Sequence, residues 1–584
     1  MIAIAIFLFT NNVCINLTEL IINRFDYSWS FNIIESIKFL QDPNVLFGNF
    51  LLFTLLFLVI IKYDKDIKLK IPRKKGLPNE DGSFEYGSSR WATKKEIKTA
   101  FKEWKIGSDL ETGGVPVTHL DGKFYYDDST DHSLIIGSTG SGKTRSFIMP
   151  LIFNLASAGE SMIINDTKGE LYSITYNYLK QKNYKIRIIN LRDAFDSDGW
   201  NPLHLPYKYY KEGNIDEAGD LIENFSKSLT KNLSSKDMYW EKSASSVLTA
   251  LCYAIIEDAP KESQTNLYSI YNLIVEHGAK IIDRQNSLDL YFQQKPFGNL
   301  AKNAYATGSF AKGETRATLF SVLATVIKMF SDTGIANLTS RTDFELEDIG
   351  KEKTAVFLII PDEKQSRHEL ASLFIDQCYM ALINLAQSLS DGKLPIRVNF
   401  VLDEYGNMPK IQSMSNKITV SRSRGIRFFC VVQNFLQIKE KYKDEYETIR
   451  SNCGNWIYLL TADNDTAKEI SSRLGKYTIS SNRVSTSQRL EQNDLNISQD
   501  KSLLGRDLLM SDELMRFKFG ESVFMKTRIY PIKAVSLSID DYGFKLEYAN
   551  LPKRKNNFKI DVFNLDEYRK KGVDEILQNL SELE

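Results

Sequence analysis

One short stretch restricts the fold of this chain more than any other: Gly137, Ser138, Thr139, Gly140, Ser141, Gly142, Lys143 and Thr144, in unbroken succession. The spacing is that of a phosphate-binding loop, G-x-x-x-x-G-K-[ST]. Each residue type has a physical reason to be there. Glycines let the backbone curl until its N–H groups converge on the α- and β-phosphates of a nucleoside triphosphate. Lys143 reaches the β- and γ-phosphates, and the Thr144 hydroxyl takes one position on Mg2+. A buried-strand pattern, Leu134 to Ile136, enters the loop. A helix is expected to leave it from about Gly142 with its positive end toward the anion. Pro150 is expected to end or kink that helix.

Such a loop needs a second half, and Asn399 to Glu404 reads as one: an apolar strand ending in two carboxylates. Asp403 is expected to hold Mg2+ through its water shell, and Glu404 to orient and deprotonate the attacking water. The stretch Lys417 to Arg427 follows, with Lys417, Arg422, Arg424 and Arg427 and no acid. Arg422 reads either as a guanidinium offered to a neighbouring subunit's phosphoryl transfer, or as a solvated or DNA-phosphate contact. Gln433 closes the strand Ile426 to Val432, where its amide can sense the γ-phosphate or water, or simply bond a turn.

Elsewhere, short β-branched runs recur at 161–164, 186–189, 355–360 and 456–460, most of them followed by helical periodicity. That alternation predicts an α/β fold, a mostly parallel sheet covered on both faces. From about 205 to 345 the period changes to helical. Ile215, Ala218, Leu221, Ile222 and Phe225 share one face, Trp240, Ala244, Val247, Leu248, Leu251 and Ile255 a second, and Leu319, Leu323, Val326, Ile327 and Phe330 a third. No strand-like run intervenes, so an all-α insertion is expected.

Net charge excludes a global pull toward nucleic acid, since 74 basic residues balance 74 acidic ones; any DNA contact has to be local. The cysteines Cys14, Cys252, Cys378, Cys430 and Cys453 show no C-x-x-C pair, which fits free thiols in a reducing compartment. Val45 to Ile61 is apolar enough for a spanning helix. Lys62, Lys65, Lys68, Lys70, Arg73, Lys74 and Lys75 follow against only Asp64 and Asp66, which places the bulk of the chain in the cytoplasm. Residues 2–9 read as the end of a first span beginning upstream of Met1, with 11–43 as an outside loop.

These residues together resemble the TraG/TraD-type coupling proteins of conjugation and type IV secretion. The blocks that carry the resemblance are Gly87 to Thr93, Gly137 to Thr144, Asp166 to Leu171, Trp200 to Leu203, Tyr239 to Glu241, Leu402 to Ile411, Val431 to Ile438, Ile470 to Gly475 and Arg528 to Pro531. Leu402 to Ile411 is the most specific, and Thr167 stands where the family usually has proline. The resemblance implies a RecA-like P-loop nucleotide-binding domain with an inserted all-α domain and an N-terminal transmembrane anchor. The expected division is 1–62 membrane anchor, 63–132 basic linker and start of the cytoplasmic part, and 133–204 first part of the nucleotide-binding domain. The all-α domain follows at 205–345, the second part of the nucleotide-binding domain at 346–551 and a tail at 552–584. It further implies a homohexameric ATPase in the cell membrane using ATP and Mg2+, with catalytic roles for Lys143, Glu404, Arg422 and Gln433. Its implied partners are single-stranded DNA bound to a relaxase and the subunits of a type IV secretion channel. A coupling ATPase for protein effectors only, or a docking receptor that uses ATP for assembly, are the alternatives.

Overall fold

The structure, a computed structural model, describes residues 79–80, 84–231, 238–282, 284–309, 314–361, 367–488, 495–544, 548–554 and 558–571. The apolar segment 45–61 and the other N-terminal membrane features expected from sequence lie outside them.

Among the described residues the largest sheet has nine strands. In chain order these are β1 (His132–Gly137), β2 (Ser161–Asn165), β3 (Lys185–Asn190), β4 (Thr354–Ile359) and β5 (Val398–Leu402), then β6 (Ile426–Val432), β7 (Cys453–Leu460), β8 (Glu521–Lys526) and β9 (Ile532–Val535). Across the sheet the order is β9-β8-β7-β1-β6-β5-β2-β4-β3. Strands β7 through β3 run parallel, while β8 and β9 are antiparallel. The central strands are buried end to end, as near-continuous apolar runs require when both sheet faces are covered. Alternate side chains serve opposite faces: Leu134 and Ile136 join one core, Ile135 the other.

The first face carries the helices between His204 and Thr339, together with the long helix His368–Ser388. Ala218, Leu221, Ile222 and Phe225 are buried on one of those helices, and Ala244, Val247, Leu248, Leu251 and Ile255 on the next, so their 3.6-residue spacing does mark the packed side. One detail departs from the sequence expectation. A two-residue antiparallel pair, Ile281–Ile282 with Gln285–Asn286, sits among these helices, too short to leave a periodic signal.

The second face is covered by the helices Met149–Ser157 and Glu170–Gln181 and by a three-stranded sheet, Lys102–Trp104, Lys123–Asp127 and Val115–Leu120. Ahead of that sheet the helix Lys94–Ala100 begins at a reciprocal cap: Thr93 Oγ1 accepts from Glu96 N, and Glu96 accepts from Thr93 N at 2.7 Å. Near the C-terminus Phe563 and Leu565 are buried in the core of the helical region, and Phe563 N donates to Ser269 Oγ at 3.0 Å.

Among the described residues no single helix is long and apolar enough to cross a membrane. The bent pair Thr315–Ser331 and Thr333–Thr339 passes by composition only jointly, across an 83° bend. Its Leu319, Leu323, Ile327, Phe330 and Ile335 are buried in the helical core. Cys252, Cys378, Cys430 and Cys453 are free and buried.

Candidate functional site

The phosphate-binding loop leaves the C-terminal end of β1 in the middle of the sheet. Ser138 N donates to Leu460 O of neighbouring β7 (2.8 Å), and Ser141 N donates back to Ser138 O (3.1 Å), closing the curl. Gly140 and Gly142 adopt φ of 80° and 84°, the left-handed region that side chains avoid. Gly137 is held to glycine for another reason: a Cβ there would lie 2.5 Å from Lys143 Cγ, because the lysine stem folds back over it.

Sequence reasoning expected the helix after the loop to stop or kink at Pro150. It does not stop. A wide turn, Thr144–Ile148, in which Met149 N–H donates to Thr144 O, precedes the α-helix Met149–Ser157, whose first turn holds Pro150. Proline lacks an N–H and its ring crowds the carbonyl four residues back, so the widened turn sits where that conflict would fall.

Strand β5 ends at the same edge. Asp403 is buried and Glu404, at φ 52°, half-buried. Lys143 Nζ donates to Glu404 Oε1 at 2.9 Å. The other carboxylate oxygen, Oε2, accepts from Gln433 Nε2 at 3.1 Å and from Asn407 Nδ2 at 3.0 Å. Gln433 arrives there because β6 lies between β1 and β5, so its C-terminal end opens between the two halves of the site. Gln437 completes the set: its Oε1 accepts from Gln433 N and its Nε2 donates to Asn407 Oδ1, both at 3.1 Å. Asn407 and Gln437 had no singled-out role in the sequence, although both lie inside the blocks that carry the family resemblance. Lys441 also grips this loop, donating to the carbonyls of Tyr405 (3.2 Å), Gly406 and Met408.

The electrostatics favour a cation. Burial, reinforced by the charge of Glu404 and opposed by Lys143, pushes Asp403 up to about 7. Asp166, at the end of β2, is raised to about 6 by burial although it accepts backbone N–H bonds, including one from Tyr172 at 2.8 Å. Glu404 N donates to Asp403 Oδ1 at 2.9 Å, and the Asn165 side-chain amide donates to the Asp403 carbonyl. A buried carboxylate beside a second carboxylate, with a half-buried threonine hydroxyl at the loop's end, is a hard-oxygen donor set of the kind Mg2+ takes. Among the described residues no cluster of three or more His, Cys, Asp or Glu side chains forms a separate metal site. The buried Ser141 hydroxyl has no partner, as fits a loop built to meet an anion.

Arg422 lies elsewhere. It precedes β6, whereas Gln433 follows it, so the length of a seven-residue strand, about 23 Å, separates the two. Its guanidinium is mostly exposed, donates to Thr130 Oγ1 at 3.0 Å and pairs with Asp131 at 2.9 Å. The rest of that basic run is divided. Lys417 and Arg427 are buried in ion pairs with Asp376 (2.6 Å) and Glu160 (2.5 Å), and Arg424 donates to Val420 O. Burial brings Arg427 down to about 10.

The family model for Type IV secretory system Conjugative DNA transfer matches residues 86–538. The conjugal transfer protein TraG of Escherichia coli is 26% identical over 465 residues, 74% of this chain and 71% of TraG. Protein VirD4 of Rhizobium radiobacter is 23% identical over 375 residues, covering 63% of this chain but only about half, 51%, of VirD4. The bacterial conjugative coupling protein TrwB, lacking its N-terminal segment, superposes with a TM-score of 0.58 at 15% identity, over 83% of this chain and all of TrwB. TrwB in complex with the non-hydrolysable ATP analogue ADPNP gives 0.55 at 15% identity, over 84% and 99% of the two chains. At that identity the likeness speaks for the RecA-like α/β fold alone. With its model matched across most of the described chain, the protein belongs to the Type IV secretory system Conjugative DNA transfer family.

Proposed function

We propose that the protein is the coupling ATPase of a conjugative type IV secretion system. It recruits a relaxase bound to single-stranded DNA at the cell membrane and drives the DNA into the secretion channel as a homohexameric ring. The observation that carries this is the meeting of Lys143, the Asp403–Glu404 pair and Gln433 at the C-terminal ends of the parallel strands, from three separate parts of the sequence. TrwB has been solved with ADPNP and with ADP and Mg2+, which supports the same ligands here.

The chain's own groups divide the work. Backbone N–H groups from Ser138 to Thr144 cradle the phosphates. Lys143 exchanges Glu404 for the β- and γ-phosphate oxygens. Once released, the Glu404 carboxylate is a base free to orient the attacking water and accept its proton. Gln433 and Asn407 keep that carboxylate at the γ-phosphate edge. Thr144 and Asp403 would hold Mg2+, which would offset charge on the phosphates. Arg422, remote from the site of its own chain and mostly exposed, is the guanidinium offered to the neighbouring subunit's site, where it would stabilise charge on the transferred phosphoryl group.

The test is DNA transfer from donor cells. Lys143→Ala is expected to abolish transfer while the protein stays in the membrane fraction; normal transfer by that variant would end the proposal. If the wild type exports proteins but no DNA, the cargo is protein alone.

A further inference from the structure

Phe519 is the least expected neighbour of the phosphate-binding loop. The residue is 64% exposed, yet its ring lies against Gly142: a Cβ built on that glycine would fall 2.5 Å from Phe519 Cε2 and 3.1 Å from Cδ2. The topology explains how it gets there. β8 is antiparallel to β7 with Val523 opposite Tyr458, so β8 starts at the edge where the parallel strands end. The turn before β8 therefore projects over the phosphate-binding edge, two strands away from β1.

That turn is built to hold its tip still. Glu521 N donates to Lys518 O (2.9 Å), Lys518 N donates to Glu521 Oε2 (2.9 Å), and Ser536 N donates to Gly520 O (2.9 Å). Gly520 takes φ 87°, which closes the turn and leaves Phe519 at its apex. An apolar ring left mostly in water gains little from folding. One edge of it lies against Gly142 of the phosphate-binding loop, and the rest is open to solvent.

Building on the ATPase function proposed above, we propose that Phe519 is the platform on which the nucleobase of the bound nucleoside triphosphate stacks. Aromatic rings stack on any base through its π-face and discriminate weakly between them. Phe519 therefore supplies affinity for the nucleoside portion without selecting adenine over guanine, while the loop supplies affinity for the phosphates.

The experiment measures binding of ATP, GTP and inorganic tripolyphosphate to the full-length chain and to Phe519→Ala. The variant is expected to bind ATP and GTP about tenfold more weakly, as loss of one base–aromatic stack implies, with tripolyphosphate affinity unchanged. Phe519→Trp is expected to restore ATP binding, and its added emission to be quenched by ATP and GTP but not by tripolyphosphate. Equal losses for all three ligands would reduce Phe519 to a prop for the loop and overturn the proposal, as would no loss for any. A wild-type chain that bound none of them would overturn the ATPase function itself, whereas wild-type binding indifferent to Phe519 would overturn the platform alone.

Discussion

Lys143 and Glu404 stand 261 positions apart in the chain and meet at 2.9 Å between Nζ and Oε1. The lysine side chain is 7% exposed and the glutamate 23%, so each is the other's main relief from partial desolvation. On the proposed function, a phosphate arriving in the loop competes for the same ammonium, which would couple nucleotide binding to release of the Glu404 carboxylate.

That exchange separates binding from turnover. Glu404→Gln is expected to keep ATP affinity at or above wild type, since an amide holds Lys143 less tightly, while turnover falls about 10²- to 10³-fold through loss of the general base. Equilibrium binding and steady-state hydrolysis on the same preparation check both halves. Wild-type turnover would remove Glu404 from its role.

Asp403 gives a pH dependence. Its folded value of about 7 lies above the ordinary 3.8, so between those values the folded chain holds a proton that the unfolded chain has lost. Without Mg2+, its contribution to stability is therefore present at low pH, declines as pH rises from about 4 to 7, and is gone above that. Mg2+ needs the carboxylate, so its affinity is expected to be about tenfold weaker at pH 6 than at pH 8. Asp403→Asn should remove this part of the metal-free pH dependence, leaving that of Asp166, and abolish Mg2+ binding. Calorimetric titration and thermal melts across that range read both.

Gly406 tests the amide network. A Cβ there would lie 2.1 Å from Gln437 Oε1 and 3.0 Å from Gln437 Cβ. The Gln437 amide can swing away, so Gly406→Ala should cost no more than about 1 kcal/mol of stability. Turnover should nevertheless fall several-fold, because Asn407 and Gln433 lose a shared partner. Gln437→Ala should have the same effect, and the double variant should be no slower than either single one. Additive losses would show that the two act independently.

Arg422 is open to complementation. Arg422→Ala and Glu404→Gln should each be strongly impaired alone. Mixed one to one before assembly, they should recover hydrolysis at about a quarter of the sites, those with an intact glutamate facing an intact arginine across a head-to-tail interface. No recovery, in mixtures shown to co-assemble, would mean that Arg422 does not act across subunits.

The strands of the parallel sheet, the phosphate loop and the Asp403–Glu404 pair were legible because each is local, a β-branched run or a fixed spacing. Strand order is not local. Nothing in the sequence places β6 between β1 and β5, so Gln433 could be suspected but its contact with Glu404 could not. Asn407 and Gln437 escaped for the same reason, as polar side chains whose partners lie on another loop. The small sheet of Val115–Leu120 and Lys123–Asp127 went unread because Pro116 and half-exposed positions break its alternation. Lys417 and Arg427 looked like their surface neighbours until Asp376 and Glu160 were seen facing them. The segment 45–61 lies outside the described residues, so the membrane anchor remains the sequence's own expectation.

The measurement that bears most directly on the central claim is ATP hydrolysis by the full-length chain without DNA, with single-stranded DNA and with duplex. The account predicts hydrolysis stimulated most by single strands and lost in Lys143→Ala under all three conditions. Undiminished hydrolysis by Lys143→Ala would contradict it.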